Sequence, residues 1–259
     1  MKENEQMLEI GRRGIVNTRS PLRRRLHKAI PTINVLDVLH DNIWQGSPCF
    51  IIGGGESIKD QKIDLSRLQG HLTIAINKSF MTEAFDPTII YSMDGRFWMW
   101  VEKGTLGNDV LDKFLKSEAL KVWLFNKDVP LPPDIFRVAN SGPRVWGNSL
   151  REGIGGTHSG FGALNLAIHL GASPVYLLGY DMKGKNGKQT WWHGKYPTIQ
   201  AESVFLNYKK LIEAHAANCK GRVVNLNPDS ALKCFKFASF NDIPKPKTYP
   251  RIICYYTVN

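Results

Sequence analysis

Cys49-Phe50-Ile51-Ile52-Gly53-Gly54-Gly55-Glu56-Ser57-Ile58-Lys59 reads as a short buried strand that runs into a glycine turn. Four apolar residues without polar alternation suit a strand covered on both faces. Three successive glycines let a backbone approach a phosphate without Cβ clashes, and their N–H groups are free to bind it. No Gly-Lys-Ser/Thr follows, so this is not a Walker A loop, and Ile58 breaks a full G-x-G-x-x-G fingerprint.

Similar apolar runs stand at 72–76, 88–92, 121–125, 174–178 and 222–225. Helical periodicity lies between them. One helix begins near Ser159, carries Ala163, Leu164, Leu166, Ala167, Ile168 and Leu170 inward, and stops at Gly171. A second spans about 198–217 on Val204, Leu206, Leu211 and Ile212, and a third covers about 109–117. This alternation predicts an α/β fold: a single Rossmann-like domain with a mainly parallel sheet, helices on both faces and a loop-rich lid. The Pro- and Gly-rich residues 126–158 are the expected lid. The expected organisation is a basic arm and lead-in over 1–47, a nucleotide-binding transferase domain over 48–232, and a basic, proline-containing tail over 233–259.

Composition narrows the class. The 259 residues are 42% hydrophobic and 22% charged, which is globular rather than disordered. No apolar run approaches the roughly 20 residues a membrane-spanning helix needs. Met1 to Glu9 is too polar for a secretory signal, so a cytoplasmic protein is expected. Cys49, Cys219, Cys234 and Cys254 form no C-x-x-C pair, which argues against a zinc knuckle or a disulfide scaffold. The net charge of +11 is uneven: +5 over residues 1–30, +4 over 233–259 and +2 between them. The ends, with Arg23-Arg24-Arg25, suit a nucleic acid or an anionic surface, or form solvated arms.

Polar residues follow nearly every strand: the glycines at 53–55, Asn77, Asp94, Asn126, Asp181, and Asn225 with Asn227. Open α/β sheets bind ligands at that edge, although strand-ending turns also favour these residues. Gly155-Gly156-Thr157-His158-Ser159-Gly160 opens the best helix, where Ser159 and Gly160 suit a cap or half of an anion site. Asp94 and Asp181 are two acids at strand ends, without a D-x-D pair for a metal. Trp191-Trp192-His193-Gly194-Lys195-Tyr196 places aromatics, a histidine and a lysine in one loop, suited to an acceptor or lid role with His193 as a general base. No G-x-S-x-G elbow is present.

In this order the segments resemble the bacterial lipooligosaccharide sialyltransferases, glycosyltransferase family forty-two. They also resemble the related sialyltransferase-like and pterin-diphosphokinase-like domains, many of them phage-encoded. The resemblance covers about residues 48–230. It rests on Ile51-Ile52-Gly53-Gly54-Gly55-Glu56-Ser57, Asp64-Leu65-Ser66-Arg67-Leu68, Asn77, Ser159-Gly160, Gly179-Tyr180-Asp181 and His193. It implies a cytidine-monophosphate sugar donor, inversion at the anomeric centre and no required cofactor. By resemblance, Gly53 to Ser57 hold the donor phosphate or ribose, and Asn77, Ser159 and Gly160 contact the nucleotide. Asp181 supports the sugar or ribose, and His193 is the base. The family's tyrosine pair after Gly-x-Asp is not evident; Tyr180 and Tyr196 flank the region, and Lys183, Lys185 and Lys188 lie between them. The expected partners are a nucleotide sugar and a glycan or modified-base acceptor. One alternative is a magnesium-dependent diphosphokinase on a pterin-like or nucleotide substrate. Another is a phage nucleic-acid-binding or DNA-modifying accessory protein.

Overall fold

A computed structural model describes residues 34–124, 131–132, 134–199 and 201–243. Arg23-Arg24-Arg25, Asn126 and the proline-rich stretch after Ile243 lie outside the described residues.

In chain order the elements are β1 (Cys49–Ile52), α1 (Ser57–Asp60), β2 (Leu72–Ile76), β3 (Ile89–Ser92), α2 (Gly95–Glu102), α3 (Asn108–Lys116), β4 (Leu120–Leu124) and β5 (Ile135–Val138). They continue with β6 (Asn140–Gly142), β7 (Ile154–Gly155), α4 (Ser159–His169), β8 (Val175–Leu178), α5 (Val204–Ala214), β9 (Val223–Asn225) and β10 (Lys236–Phe237). Eight strands form one sheet in the order β10-β9-β8-β1-β2-β3-β4-β5, and every pairing in it is parallel. The protein is therefore an α/β, Rossmann-like fold with helices on both faces. From β1 the chain winds outward through β2 to β5. It then returns through α4 to place β8 on the other side of β1.

Strand alternation divides the core. Cys49 and Ile51, Ile74 and Ile76, Ile89 and Tyr91, and Val122 and Leu124 point to the face covered by α4 and α5. Phe50 and Ile52 point the other way, onto Ile58, Leu65, Leu68 and Phe240. Ala75, Ile90 and Trp123 meet α2 and α3 through Phe97, Trp98, Val110 and Phe114. Burial on both faces is why these strands read as continuous apolar runs. α4 is buried along most of its length, and Gly171 takes φ +85° just past its end, a left-handed position that suits glycine.

Several expectations change. The lead-in is part of the packed unit, since Val35, Val38, Leu39 and Trp44 join the core. On the other side β10 extends the sheet beyond residue 232 and Phe240 is buried. The expected boundaries at 47/48 and 232/233 therefore do not mark edges of the packing. The segment expected as a lid contains β5, an edge strand of the sheet, and β6 paired with β7 in a small second sheet. Its glycines serve its own packing: a Cβ on Gly155 would meet the Val145 carbonyl at 2.2 Å. α5 starts at Val204 rather than near 198, because Ala201 bridges Lys188 and Glu202 accepts the Gly184 N–H at 3.0 Å. α2 escaped the periodicity reading because it is aromatic on several sides; Asp94 caps it by accepting the Arg96 N–H at 2.9 Å.

Candidate functional site

β1 and β8 leave the sheet side by side where the winding reverses, the place where open α/β sheets hold ligands. A cleft of about 410 Å³ opens there. It gathers Gly53, Gly54, Gly55, Asn77, Asp94, Ser159, Gly160, Asp181, Trp191 and Tyr196 from the sequence-based candidates. Ser57, Trp192, His193 and Lys195 are not on its wall.

The glycine turn is shaped by the protein's own close contacts. A Cβ on Gly53 would lie 2.7 Å from the Gly179 carbonyl oxygen, and one on Gly54 2.7 Å from Trp191 Cδ1. A Cβ on Gly55 would lie 2.5 Å from both the Gly179 carbonyl oxygen and Asp181 Cγ. The sequence reading assigned these glycines to the approach of a phosphate. In the structure the approach is made by the end of β8 and by the loop that carries Trp191.

Asp181 braces this turn. It is 9% exposed, and both its oxygens are engaged. The Ser57 N–H donates to Oδ2 at 2.9 Å, while Ser57 Oγ and Asn227 Nδ2 (2.8 Å) donate to Oδ1. Asn227 also accepts from Gln61 Nε2 at 2.8 Å and from the Asp229 N–H at 3.0 Å. Three donors on a carboxylate with about four acceptor positions hold it as the brace of the turn, and Oδ2 keeps one position open beside the cleft. Asp181, expected to be catalytic, stands on the cleft wall and also holds the turn after β1. Ser57 belongs to the same brace.

The next strand ends are tied to α4. Ser159 Oγ donates to Asn77 Oδ1 at 3.3 Å and accepts the Met93 N–H at 3.2 Å. His158 caps the helix, its Nδ1 accepting the Phe161 N–H at 3.3 Å. The ring is 7% exposed and stacks on Tyr208 at 4.2 Å. Burial pushes His158 down to about 3, with the Tyr208 backbone offsetting part of the shift. Tyr180 directs its hydroxyl to the Gly160 carbonyl at 2.9 Å.

The loop from 182 to 199 covers the cleft and is latched at two strand ends. Trp192 Nε1 donates to the Gly53 carbonyl at 2.9 Å, and its N–H to the Gly54 carbonyl at 3.1 Å. Tyr196 accepts the Lys78 N–H at 3.2 Å. Lys185 pairs with Asp60 at 3.0 Å. His193 lies under this loop, edge-on to Trp192 and Tyr196, and a Cβ on Gly54 would lie 3.1 Å from its Nε2. Burial, reinforced by the nearby charge of Lys78, pushes His193 down to about 3. Lys195 is exposed.

Sequence reasoning missed the other half of the cleft, formed by Arg96, Trp100, Phe205 and Tyr208. Arg96 grips Asp94 through Nε (3.1 and 3.2 Å) and Nη2 (2.8 Å), with its guanidinium 5.9 Å over the Trp100 ring. An aromatic–cationic cluster beside Asp94 was the available signal, but its members come from two separate helices. Among the described residues no group of three His, Cys, Asp or Glu is placed to hold a metal ion. No described helix is long and apolar enough to cross a membrane.

No protein-family model matches the chain, and no curated protein matches it. Among solved structures, the MAf glycosyltransferase from Magnetospirillum magneticum AMB-1 is similar in fold, with a TM-score of 0.57 at 13% sequence identity. The likeness covers 81% of this chain and 36% of that one, so this chain spans about a third of the longer protein and shares its α/β architecture.

Proposed function

We propose that this protein is a glycosyltransferase-like enzyme that moves a sugar from a nucleotide-activated, CMP-linked donor to a hydroxyl acceptor. The observation that carries the reading is the convergence of the glycine turn and the α4 N-terminus on one cleft at the switch point. A fold similar to that of a glycosyltransferase supports it. The Gly53 and Gly55 N–H groups, expected to be free, donate to the Leu178 and Gly179 carbonyls at 2.8 and 2.9 Å, so the N-terminus of α4 is the part of this edge that favours the donor phosphate. The aromatic half, with Trp100, Tyr208 and Phe205, offers flat faces for a base or sugar ring. Transfer then joins the acceptor oxygen to the anomeric carbon as the nucleoside monophosphate leaves.

In the family this chain resembles, a loop histidine takes the acceptor proton. Here His193 would have to leave its packing behind Gly54 to reach the cleft. The glycan or modified-base acceptor and a role for the basic ends in holding it are further parts of the proposal.

The test is nucleotide release from a panel of CMP-, UDP- and GDP-linked sugars and nucleoside triphosphates, first in EDTA and then with magnesium. Release of CMP in EDTA is the expected result. AMP or diphosphate appearing only with magnesium would favour a diphosphokinase instead. Silence from all donors, with no nucleotide binding by calorimetry, would remove the enzyme reading.

A further inference from the structure

The transfer needs a group that takes the acceptor proton within hydrogen-bond reach of the cleft. The cleft wall offers few. Asp181 is 9% exposed and is held in the brace of the turn by three donors from Ser57 and Asn227, none of which a ligand replaces without opening the turn. His158 spends Nδ1 on the Phe161 N–H, so in the neutral ring Nε2 carries the proton and is a donor. Tyr180 is committed to the Gly160 carbonyl, and burial raises Tyr196 and Tyr208 further into their protonated forms. Lys183 and Arg96 are donors. Asp94 remains, a carboxylate 32% exposed on the cleft wall.

Arg96 holds Asp94 in a way that can be released. Its side chain is 57% exposed, and among the described residues it is held by the Asp94 fork and by its position over Trp100. Its Nη1 makes no hydrogen bond among the described residues. The charged and titratable groups facing Asp94 are Arg96 on α2, Tyr208 on α5 and Tyr196 on the covering loop. A phosphate entering the cleft competes for the same guanidinium fork, for which it is as good a bidentate partner as a carboxylate.

We propose that Asp94 is the general base of the transfer and that Arg96 is its gate, passing from the Asp94 carboxylate to the donor phosphate when the donor binds. The inference rests on the transferase reading and deepens it. The acceptor O–H proton goes to an Asp94 oxygen, and the acceptor oxygen's electron pair forms the bond to the anomeric carbon. The bond from that carbon to the phosphate oxygen breaks, and its electron pair leaves on the nucleoside monophosphate, whose charge Arg96 meets. Until a donor arrives, the base stays covered, which suppresses unproductive chemistry.

The experiment is donor hydrolysis, with water as the acceptor, using whichever nucleotide sugar of the panel the wild-type protein cleaves. Asp94→Asn keeps an oxygen to cap α2 and removes the base. It should lower kcat by about 10²–10⁴-fold and abolish the acidic limb of the pH–rate profile. Asp94→Ser, a second capping residue, should match it, with melting temperatures showing that both fold. Arg96→Gln should raise the donor KM by about tenfold, the loss of a bidentate charged contact. A kcat for Asp94→Asn within threefold of wild type would overturn the assignment. So would loss of the acidic limb in His193→Gln with Asp94→Asn unaffected. An unchanged KM in Arg96→Gln would overturn the gate. Absence of cleavage of every donor by the wild-type protein would overturn the transferase reading itself, and this inference with it.

Discussion

Gly55 and Asp181 meet so closely that no side chain fits between them: a Cβ on Gly55 would lie 2.5 Å from Asp181 Cγ. Asp181, three residues past β8, therefore dictates the residue type in the turn after β1. The same contact places the Ser57 N–H on the carboxylate, so the glycine turn and the brace are one unit.

Gly55→Ala should destabilise the fold by about 1–3 kcal/mol, the usual cost of overpacking. Backbone at Gly179 and the held carboxylate of Asp181 both lie in the way, and neither moves cheaply. Gly54→Ala should cost less, since its nearest obstacle is the edge of the half-buried Trp191 ring. Urea unfolding of the two variants checks the order.

Asp181→Ala strands two donors of Ser57 and one of Asn227 inside the protein. Each buried polar group left unpaired costs about 1–3 kcal/mol. We expect a clear drop in melting temperature together with loss of nucleotide binding, because the turn is no longer held. Retained stability with lost turnover would instead mark Asp181 as a reacting group.

Acid should weaken the fold through the imidazoles of the buried His158 and the half-buried His193. His158 and His193 sit near 3 in the folded protein, against 6.5 for an unhindered histidine. Below about 6.5 the unfolded chain binds protons that the folded chain refuses, so stability rises with pH between about 3 and 6.5 and is lost as pH falls through that window. Each residue contributes up to about 1.4 kcal/mol per pH unit there. Melting temperatures measured from pH 7 to 4.5 should fall, and His158→Gln should flatten the slope.

Trp192→Phe removes the Nε1–H bond to the Gly53 carbonyl and keeps the ring packing. The loss should be about 0.5–1.5 kcal/mol, the net worth of one hydrogen bond. It should appear as faster hydrogen exchange in residues 183–199 and weaker nucleotide binding, with little change in β2 to β4. Uniform exchange across the protein would mean that the latch is part of the global fold.

Much of the architecture was legible because burial on both faces writes itself into composition. β1 and β2 match the expected runs residue for residue, β3, β8 and β9 start one residue later than expected, and β4 starts one residue earlier, with the expected end at residue 125 outside the described residues. β5, β6, β7 and β10 were not legible. They are short, lie at edges or in proline-rich chain, and lack the run of buried apolar residues that marks the central strands. The cleft's glycine half was legible for the same local reason, as strand ends need turn residues. The Arg96–Trp100–Tyr208 half was not, because no local period links α2 to α5.

The amino-acid sequence alone determined the fold class, the strands of the sheet's centre and the helix that starts at Ser159, since each is set by local hydrophobic pattern and caps. Only the tertiary structure decided what the motif residues do. It fitted the glycines against Gly179, Trp191 and Asp181, and it tied Asp181 to Ser57 and Asn227. It also drew His193 behind the turn and brought Arg96 onto Asp94 at the cleft wall. A side chain's chemistry depends on which partners have taken its lone pairs and protons, and for Asn227 and Gln61 those partners lie 166 residues apart along the chain.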